Sequence, residues 1–187
     1  MQPLVERAFD YILVNEGGWS NHAKDKGGAT NLGVTIKTFR KAAAEMAGHD
    51  FDLDDDGDVD ADDLRKMERP LAIAIFEKYY WQSNLSLLED RVAIKTADYG
   101  FNAGPTTGVK LLQRSINLLA DERGVPRILV DGKLGKKTAQ MANLSNVEDL
   151  LEAMQTIGKQ FYRDIVERDP TQRVWLNGWI NRAMRLP

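Results

Sequence analysis

The sequence contains no cysteine, which excludes disulfide bonds, thiolate zinc sites and a cysteine nucleophile, and which suits a protein that folds in a reducing compartment. It has two histidines, too few without cysteine for a typical zinc site. No uncharged apolar run approaches the roughly 20 residues that span a bilayer. The amino terminus carries acidic residues within its apolar pattern, unlike a Sec signal peptide. We therefore expect neither a membrane span nor a signal sequence.

Negative charge is concentrated in one short segment. The chain has 25 basic and 28 acidic residues, a net charge of −3, but eight of the acids are aspartates within residues 52–63. Without that segment the net charge is +5. A mildly basic body is compatible with an anionic polymer as partner. The length of 187 residues favours one compact unit.

Apolar residues recur at helical spacing along most of the chain, which predicts a mostly α fold. The first helix begins near Pro3, Gly17 and Gly18 end it, and the glycine-rich residues 17–33 predict a short irregular hairpin or loop. Further helices are predicted over about 38–47, from Ala61, from Pro70, over 92–101, over 105–124, from a capping box of Ser145 and Glu148, and after Pro170. We divide the chain into two lobes of one unit, residues 1–90 and 91–187.

Residues 52–63 have the spacing of an EF-hand calcium loop. Loop positions 1, 3, 5, 9 and 12 carry oxygen ligands, the main-chain carbonyl at position 7 contributes, and glycine occupies position 6. The predicted ligands are Asp52, Asp54, Asp56, Asp58, Asp60 and Asp63. Position 12 is aspartate and not the longer glutamate, which predicts a weak Ca²⁺ site with a Kd of about 10⁻⁴ to 10⁻³ M. A single loop favours a structural or conditional role over signalling, and a solvated loop that binds nothing is the alternative.

Glu16 is predicted at the carboxyl-terminal end of the first helix, where the helix dipole disfavours the ionised carboxyl. A neutral carboxyl suits a general acid, and the glycines that follow permit close approach of a large substrate. Asp25 lies between Lys24 and Lys26, whose charges favour its ionised form. Glycoside hydrolysis divides labour between two carboxyls in this way. The pattern alone is more typical of a surface helix end than of a catalytic residue.

The surrounding sequence resembles a known family. Residues 16–21 and 25–35, with Tyr79-Tyr80-Trp81 downstream, resemble the signature of glycoside hydrolase family 108, a lysozyme-like family of phage endolysins and bacterial murein-remodelling proteins. The second half resembles the predicted peptidoglycan-binding region that accompanies it, in residues 98–105, 111–114, 131–138, 161–162 and 178–182. The resemblance covers nearly the whole chain. It implies a lysozyme-like, two-lobed helical domain into which the EF-hand loop is inserted.

The implied activity is that of an N-acetylmuramidase, which cleaves the β-1,4 bond between N-acetylmuramic acid and N-acetylglucosamine. Glu16 matches the family's catalytic glutamate. Asp25 and Thr30 resemble the aspartate and threonine of phage-type lysozymes, with an interval one residue shorter, so that Asn31 and Thr35 are alternatives to Thr30. We predict inversion, in which Glu16 protonates the leaving oxygen while Asp25 and Thr30 orient a water; inversion requires carboxyls about 6.5–9.5 Å apart, and retention about 5 Å.

Three further side chains are predicted to contact the substrate. Trp19 replaces the family's usual tyrosine and forms an aromatic wall beside Glu16. Asn102 reaches an acetamido group, with helix capping as the alternative, and Tyr99 belongs to the same motif. Trp175 and Trp179 are predicted to pack in the core.

The resemblance favours a monomeric phage endolysin of the Gram-negative type that binds peptidoglycan and Ca²⁺ and no nucleic acid. The expected route is synthesis in the host cytoplasm and passage to the periplasm through a holin lesion. One alternative is a non-catalytic peptidoglycan-binding or calcium-responsive module in which Glu16 is vestigial. Another is a bacterial, secretion-associated murein hydrolase.

Overall fold

The computed structural model describes residues 2–14, 19–20 and 28–187. It confirms the mostly α fold class. The helices are α1 (Leu4–Leu13), α2 (Ile36–Glu45), α3 (Ala61–Lys66), α4 (Arg69–Tyr79), α5 (Asp90–Ala103), α6 (Pro105–Arg123), α7 (Lys136–Leu144), α8 (Val147–Arg168) and α9 (Leu176–Met184), with 3₁₀ segments at Ser83–Leu87 and Pro170–Trp175. Strands β1 (Thr30–Asn31) and β2 (Val34–Thr35) form an antiparallel hairpin in which Thr30 pairs with Thr35 and Asn31 with Val34. No helix of the described residues is long and apolar enough to cross a membrane.

The chain divides into two compact units. One contains Phe9–Tyr79, and the other contains Met1–Ala8 with Tyr80–Pro187. The boundary at residues 79 and 80 lies about ten residues before the predicted one at residues 90 and 91. Residues 1–8, predicted in the first lobe, belong to the carboxyl-terminal unit. Within that unit the Arg7 guanidinium pairs with the Asp90 carboxylate at the start of α5.

Aromatic residues form the core of the Phe9–Tyr79 unit. Phe9 of α1 packs on Phe76 of α4 with ring centroids 5.6 Å apart. Phe39 of α2 contacts Phe51 edge to face at 5.1 Å. Since Phe51 is buried and directly precedes the acidic segment, the apolar core fixes the point at which that segment begins.

Side-chain caps decide where several helices begin. The Thr35 hydroxyl accepts from the Thr38 amide at 3.2 Å, so α2 starts earlier than the predicted residue 38. The predicted capping box of Ser145 and Glu148 is wrong by one residue. Asn146 caps α8 by accepting from the amides of Glu148 and Asp149, whereas the Ser145 hydroxyl donates to the Met141 carbonyl of α7.

Helix α5 is buried on all sides from Val92 to Gly100, as its apolar sequence predicts. It crosses α6 in direct backbone contact. A Cβ atom built on Gly108 would lie 2.6 Å from the Thr96 carbonyl oxygen and 2.7 Å from the Gly100 nitrogen. The two glycines therefore set the distance between these helices.

The Gly108→Ala variant should be less stable than the wild type by about 1–3 kcal/mol or more, because backbone atoms cannot yield as side chains do. The matched control is Gly178→Ala in α9, where the added methyl group would meet no described atom within 4 Å beyond the adjoining residues and backbone of its own helix. This control should gain about 0.5–1 kcal/mol from helix propensity. Urea unfolding measures both, and equal stabilities would contradict the packing argument.

A charged cluster is buried inside the carboxyl-terminal unit. The Lys95 ammonium donates to the carbonyls of Arg182 and Arg185 at 2.7 and 2.8 Å and lies 3.4 Å from the Asp98 carboxylate. Arg182 Nε donates to the other Asp98 oxygen at 2.8 Å. Burial lowers the pKa of Lys95 to about 8, although Asp98 opposes that change. One carboxylate thus serves two buried cations and joins α5 to α9.

The two carboxyl-terminal tryptophans differ in environment. Trp179 is half-buried and stacks on Tyr162 with ring centroids 5.4 Å apart, so it packs as predicted but at the edge of the core. The prediction for Trp175 is wrong, because 60% of its surface is exposed, beside the still more exposed Val174. Trp175 ends a 3₁₀ segment, and that turn carries its side chain outward.

Candidate functional site

The two predicted catalytic carboxyls, Glu16 and Asp25, lie outside the described residues. Their separation, and with it inversion or retention, stays a prediction. The residues that flank them in sequence are described from Trp19 to Ser20 and from Gly28 onward.

A backbone bridge joins Ser20 to Thr30. The Thr30 amide donates to the Ser20 carbonyl at 2.8 Å, and the Ser20 amide donates to the Thr30 carbonyl at 2.9 Å. The sequence between them carries Asp25. Both ends of that sequence are therefore fixed to the same edge of the hairpin.

The three candidates for the polar partner of Asp25 have different environments. Asn31 is 8% exposed, and its amide donates to the carbonyls of Leu64, Arg65 and Met67 at 2.9, 3.3 and 3.4 Å. The Thr35 hydroxyl caps α2. Within the described residues the Thr30 hydroxyl makes no side-chain hydrogen bond. Asn31 and Thr35 therefore have structural roles, which leaves Thr30 as the candidate.

The contact between Asn31 and the end of α3 is absent from our sequence-based prediction. It joins residues more than thirty positions apart, and no local pattern of residues encodes such a pair. The same helix contributes Arg65, whose guanidinium lies 5.8 Å from the centre of the half-buried Trp19 ring. That distance is within reach of a cation–π contact. Helix α3 thus contacts both the hairpin and the predicted aromatic wall.

The acidic loop adopts a tight turn around its own amides. The Asp52 carboxylate accepts from the amides of Asp56 and Gly57 at 3.1 and 3.0 Å. Gly57 has φ +94°, a conformation that favours glycine. Asp60 caps α3, which begins at Ala61 as predicted.

Carboxylates crowd inside this loop. Oxygens of Asp52, Asp54 and Asp63 lie within 4.8 Å of one another, and so do those of Asp58, Asp60 and Asp63. One Asp54 oxygen is buried with no hydrogen-bond partner among the described residues. Partial burial and the Asp56 carboxylate raise the pKa of Asp54. A hard cation such as Ca²⁺ would supply the missing partner, and the crowded carboxylate oxygens are a donor set that fits it.

Asp63, at loop position 12, is completely buried. One of its oxygens accepts from the Leu53 amide at 2.6 Å and the other from the Asp60 amide at 2.7 Å. The short side chain therefore fastens the start of the loop to its end. Its remaining lone pairs are those available to a cation.

The other predicted substrate residues lie in the carboxyl-terminal unit. Asn102 is exposed and donates to the Tyr162 hydroxyl at 2.8 Å. Tyr99 has no exposed surface, and its hydroxyl donates to the Met154 carbonyl at 2.9 Å. A side chain without surface cannot touch a glycan, so Tyr99 packs α5 against α8. Only Asn102 of the two is accessible to a ligand.

Comparison with known proteins agrees with these features. The family model for glycosyl hydrolase 108 matches residues 9–104. A model described as a predicted peptidoglycan domain matches residues 107–184. The solved structure of Brucella abortus SagA is 22% identical with a TM-score of 0.63, covering 96% of this chain and 93% of that one. This likeness shows the fold. No curated protein matches the chain.

Proposed function

Because this chain belongs to the glycosyl hydrolase 108 family, we propose that it cleaves the β-1,4 bond between N-acetylmuramic acid and N-acetylglucosamine. It is a peptidoglycan hydrolase, since a peptidoglycan domain follows the glycosidase region. The observation that carries the proposal is the extent of the family match, which includes Glu16, Asp25 and the whole hairpin. The basic body of the protein attracts an anionic wall polymer.

In the proposed mechanism, Glu16 protonates the glycosidic oxygen as the bond breaks. Asp25 takes a proton from a water on the opposite face of the sugar, and the Thr30 hydroxyl orients that water. The Ser20–Thr30 bridge supports this assignment. It holds the backbone of Thr30 beside Ser20, and these two residues flank the sequence that carries Asp25. Fixed groups react with less entropic cost than free ones.

Product analysis tests the bond that is cleaved. Purified peptidoglycan is digested, the new reducing ends are reduced with borohydride, and the fragments are identified by mass spectrometry. A muramidase leaves muramitol ends. Glucosaminitol ends would assign the cleavage to a glucosaminidase, and an absence of soluble fragments would favour the non-catalytic module.

We also propose that Ca²⁺ binds the loop and modulates activity without entering the chemical step. Helix α3 begins within the loop at Ala61, and its last carbonyls hold Asn31. Asn31 follows Thr30, which pairs with Ser20. These contacts all lie within the Phe9–Tyr79 unit. A cation that orders the loop therefore also steadies the hairpin beside the catalytic segment.

Saturating Ca²⁺ should raise the Tm of the chelator-treated protein. At a concentration 10 to 100 times the Kd, the free energy of unfolding rises by about 1.4–2.7 kcal/mol. Asp54→Asn should reduce that gain because it replaces one carboxylate oxygen by an amide nitrogen and removes a negative charge from the loop. Asp62→Asn is the matched control, since Asp62 is exposed at loop position 11 and is not a predicted ligand. Superimposable melting curves with chelator and with Ca²⁺ would exclude a bound cation.

The proposed biological role is lysis by a phage endolysin that reaches the periplasm through a holin lesion. A weak site stays largely empty in a calcium-poor cytosol and fills outside the inner membrane, which favours activity after release. A holin gene beside the coding sequence is the expected genomic observation. A neighbouring secretion operon would instead favour the bacterial murein-remodelling role.

A further inference from the structure

A cleft of about 530 Å³ opens between α6 and α8 within the carboxyl-terminal unit. Lys110 and Arg114 line the α6 side, and they share a face because they are four residues apart. Asp164, Glu167 and Arg168 line the α8 side, and Phe161 is half-buried between the two sides. The volume is in the range of pockets that hold small ligands.

The opposite charges in this cleft stand apart. Lys110 and Arg114 form no ion pair with any described residue, although two carboxylates line the same cleft. At the other end of the same two helices, Arg123 of α6 pairs with Asp149 of α8 at 3.0 Å. These two helices are therefore able to form salt bridges between them. At the cleft end the basic side chains of α6 form none with α8 and are available to pair with a ligand.

We propose that this cleft binds the peptide stem of peptidoglycan, an acidic peptide that contains a diamino acid. The proposal rests on the proposed function, since it adds a second contact with the same polymer. Carboxylates of the stem pair with Lys110 and Arg114, and the side-chain ammonium of the diamino acid pairs with Asp164 and Glu167. The Phe161 ring and the buried Leu111 cover the methylene groups between them.

The arrangement discriminates between parts of the polymer. A neutral glycan unit offers hydroxyl and acetamido groups, which supply no counterion to the five charged side chains that line the cleft. A zwitterionic peptide carries both carboxylates and an ammonium group. It can therefore pair with the basic side chains of α6 and the acidic side chains of α8 at the same time. Such matching of potentials gives specificity more than affinity, so we expect weak, salt-sensitive binding.

The test is titration of the full chain with the isolated stem tetrapeptide, L-Ala-γ-D-Glu-diaminopimelate-D-Ala, followed by NMR. The wild type should bind it, and Lys110→Gln with Arg114→Gln should weaken binding about tenfold. Lys136→Gln with Lys137→Gln removes two exposed lysines of α7 outside the cleft and should leave the Kd unchanged. Acetylation of the diaminopimelate amine should weaken binding to the wild type.

Several results would overturn the assignment. One is that the tetrapeptide does not bind, and another is that both double variants lose the same affinity. A third is that a peptide-free disaccharide binds more tightly than the tetrapeptide and that replacing Lys110 and Arg114 abolishes this binding, which would identify a sugar subsite. The probe contains no glycosidic bond. Its binding is therefore independent of whether the protein is a muramidase, and each proposal fails on its own measurement.

Discussion

Replacing Glu16 by glutamine is expected to abolish the cleavage of peptidoglycan. Glutamine preserves the shape of the side chain but cannot donate the proton that the leaving oxygen requires. General acid catalysis contributes about 10²–10⁴-fold to rate, and kcat/KM should fall by at least that factor. Turbidity of a suspension of purified peptidoglycan measures the rate, and Tm should stay within about a degree of the wild type because the change is nearly isosteric.

Glu77→Gln is the matched control, because Glu77 is exposed on α4 in the same unit. It makes the same chemical change and should keep full activity. Equal activity of the Glu16 variant and the wild type would remove Glu16 from the mechanism. The anomer formed first, observed by NMR, decides between inversion, which releases the α anomer from a β-linked substrate, and retention.

The Asp98→Asn variant should be destabilised by about 3–5 kcal/mol, a large part of the stability of a domain. Asp98 is completely buried and is the anion shared by Lys95 and Arg182. Its neutral replacement removes the carboxylate that both buried cations share. Urea unfolding at neutral pH measures the loss. The matched control is Asp121→Asn, which breaks an exposed pair with Arg127 and should cost less than about 1 kcal/mol.

The pH dependence of the Asp98→Asn variant separates charge from packing. Burial lowers the pKa of Lys95 to about 8 in the folded protein, from the ordinary value of 10.5 that applies to the unfolded chain. Stability therefore rises with pH across that interval. Loss of Asp98 removes the anion that holds the proton on Lys95, so the deficit should shrink between pH 7 and pH 9. A deficit independent of pH would indicate a packing defect.

Helical periodicity was sufficient to predict the fold class and most helix positions. Helices α3, α5 and α6 begin near the predicted residues because their signals are local: a capping aspartate, a continuous apolar run and a first-turn proline. The start of α8 was misplaced because serine and asparagine are both good caps, and the Ser145 hydroxyl instead bonds to α7. Which of two adjacent residues caps a helix depends on their contacts with the preceding helix, and the local sequence pattern does not describe those contacts.

The candidate site was predictable where ligand spacing is local and not where it depends on tertiary contacts. The acidic loop has its turn glycine and its helix start in the predicted places. Tyr99 belongs to a recognisable motif, but its burial against α8 follows from the close approach of Gly158, where an added Cβ would lie 2.2 Å from the Tyr99 hydroxyl. The Asn31 contacts with α3 likewise arise only when distant segments meet.

The Ser20–Thr30 bridge has a consequence for how this sequence can diverge. Because the two ends of the intervening segment are joined by hydrogen bonds, its length is uncoupled from the position of the hairpin. Closure entropy changes only slowly with the number of residues in a loop. Relatives that gain or lose a residue there can therefore keep the same frame, and the shorter interval between Asp25 and Thr30 in this chain is tolerable as ordinary length variation.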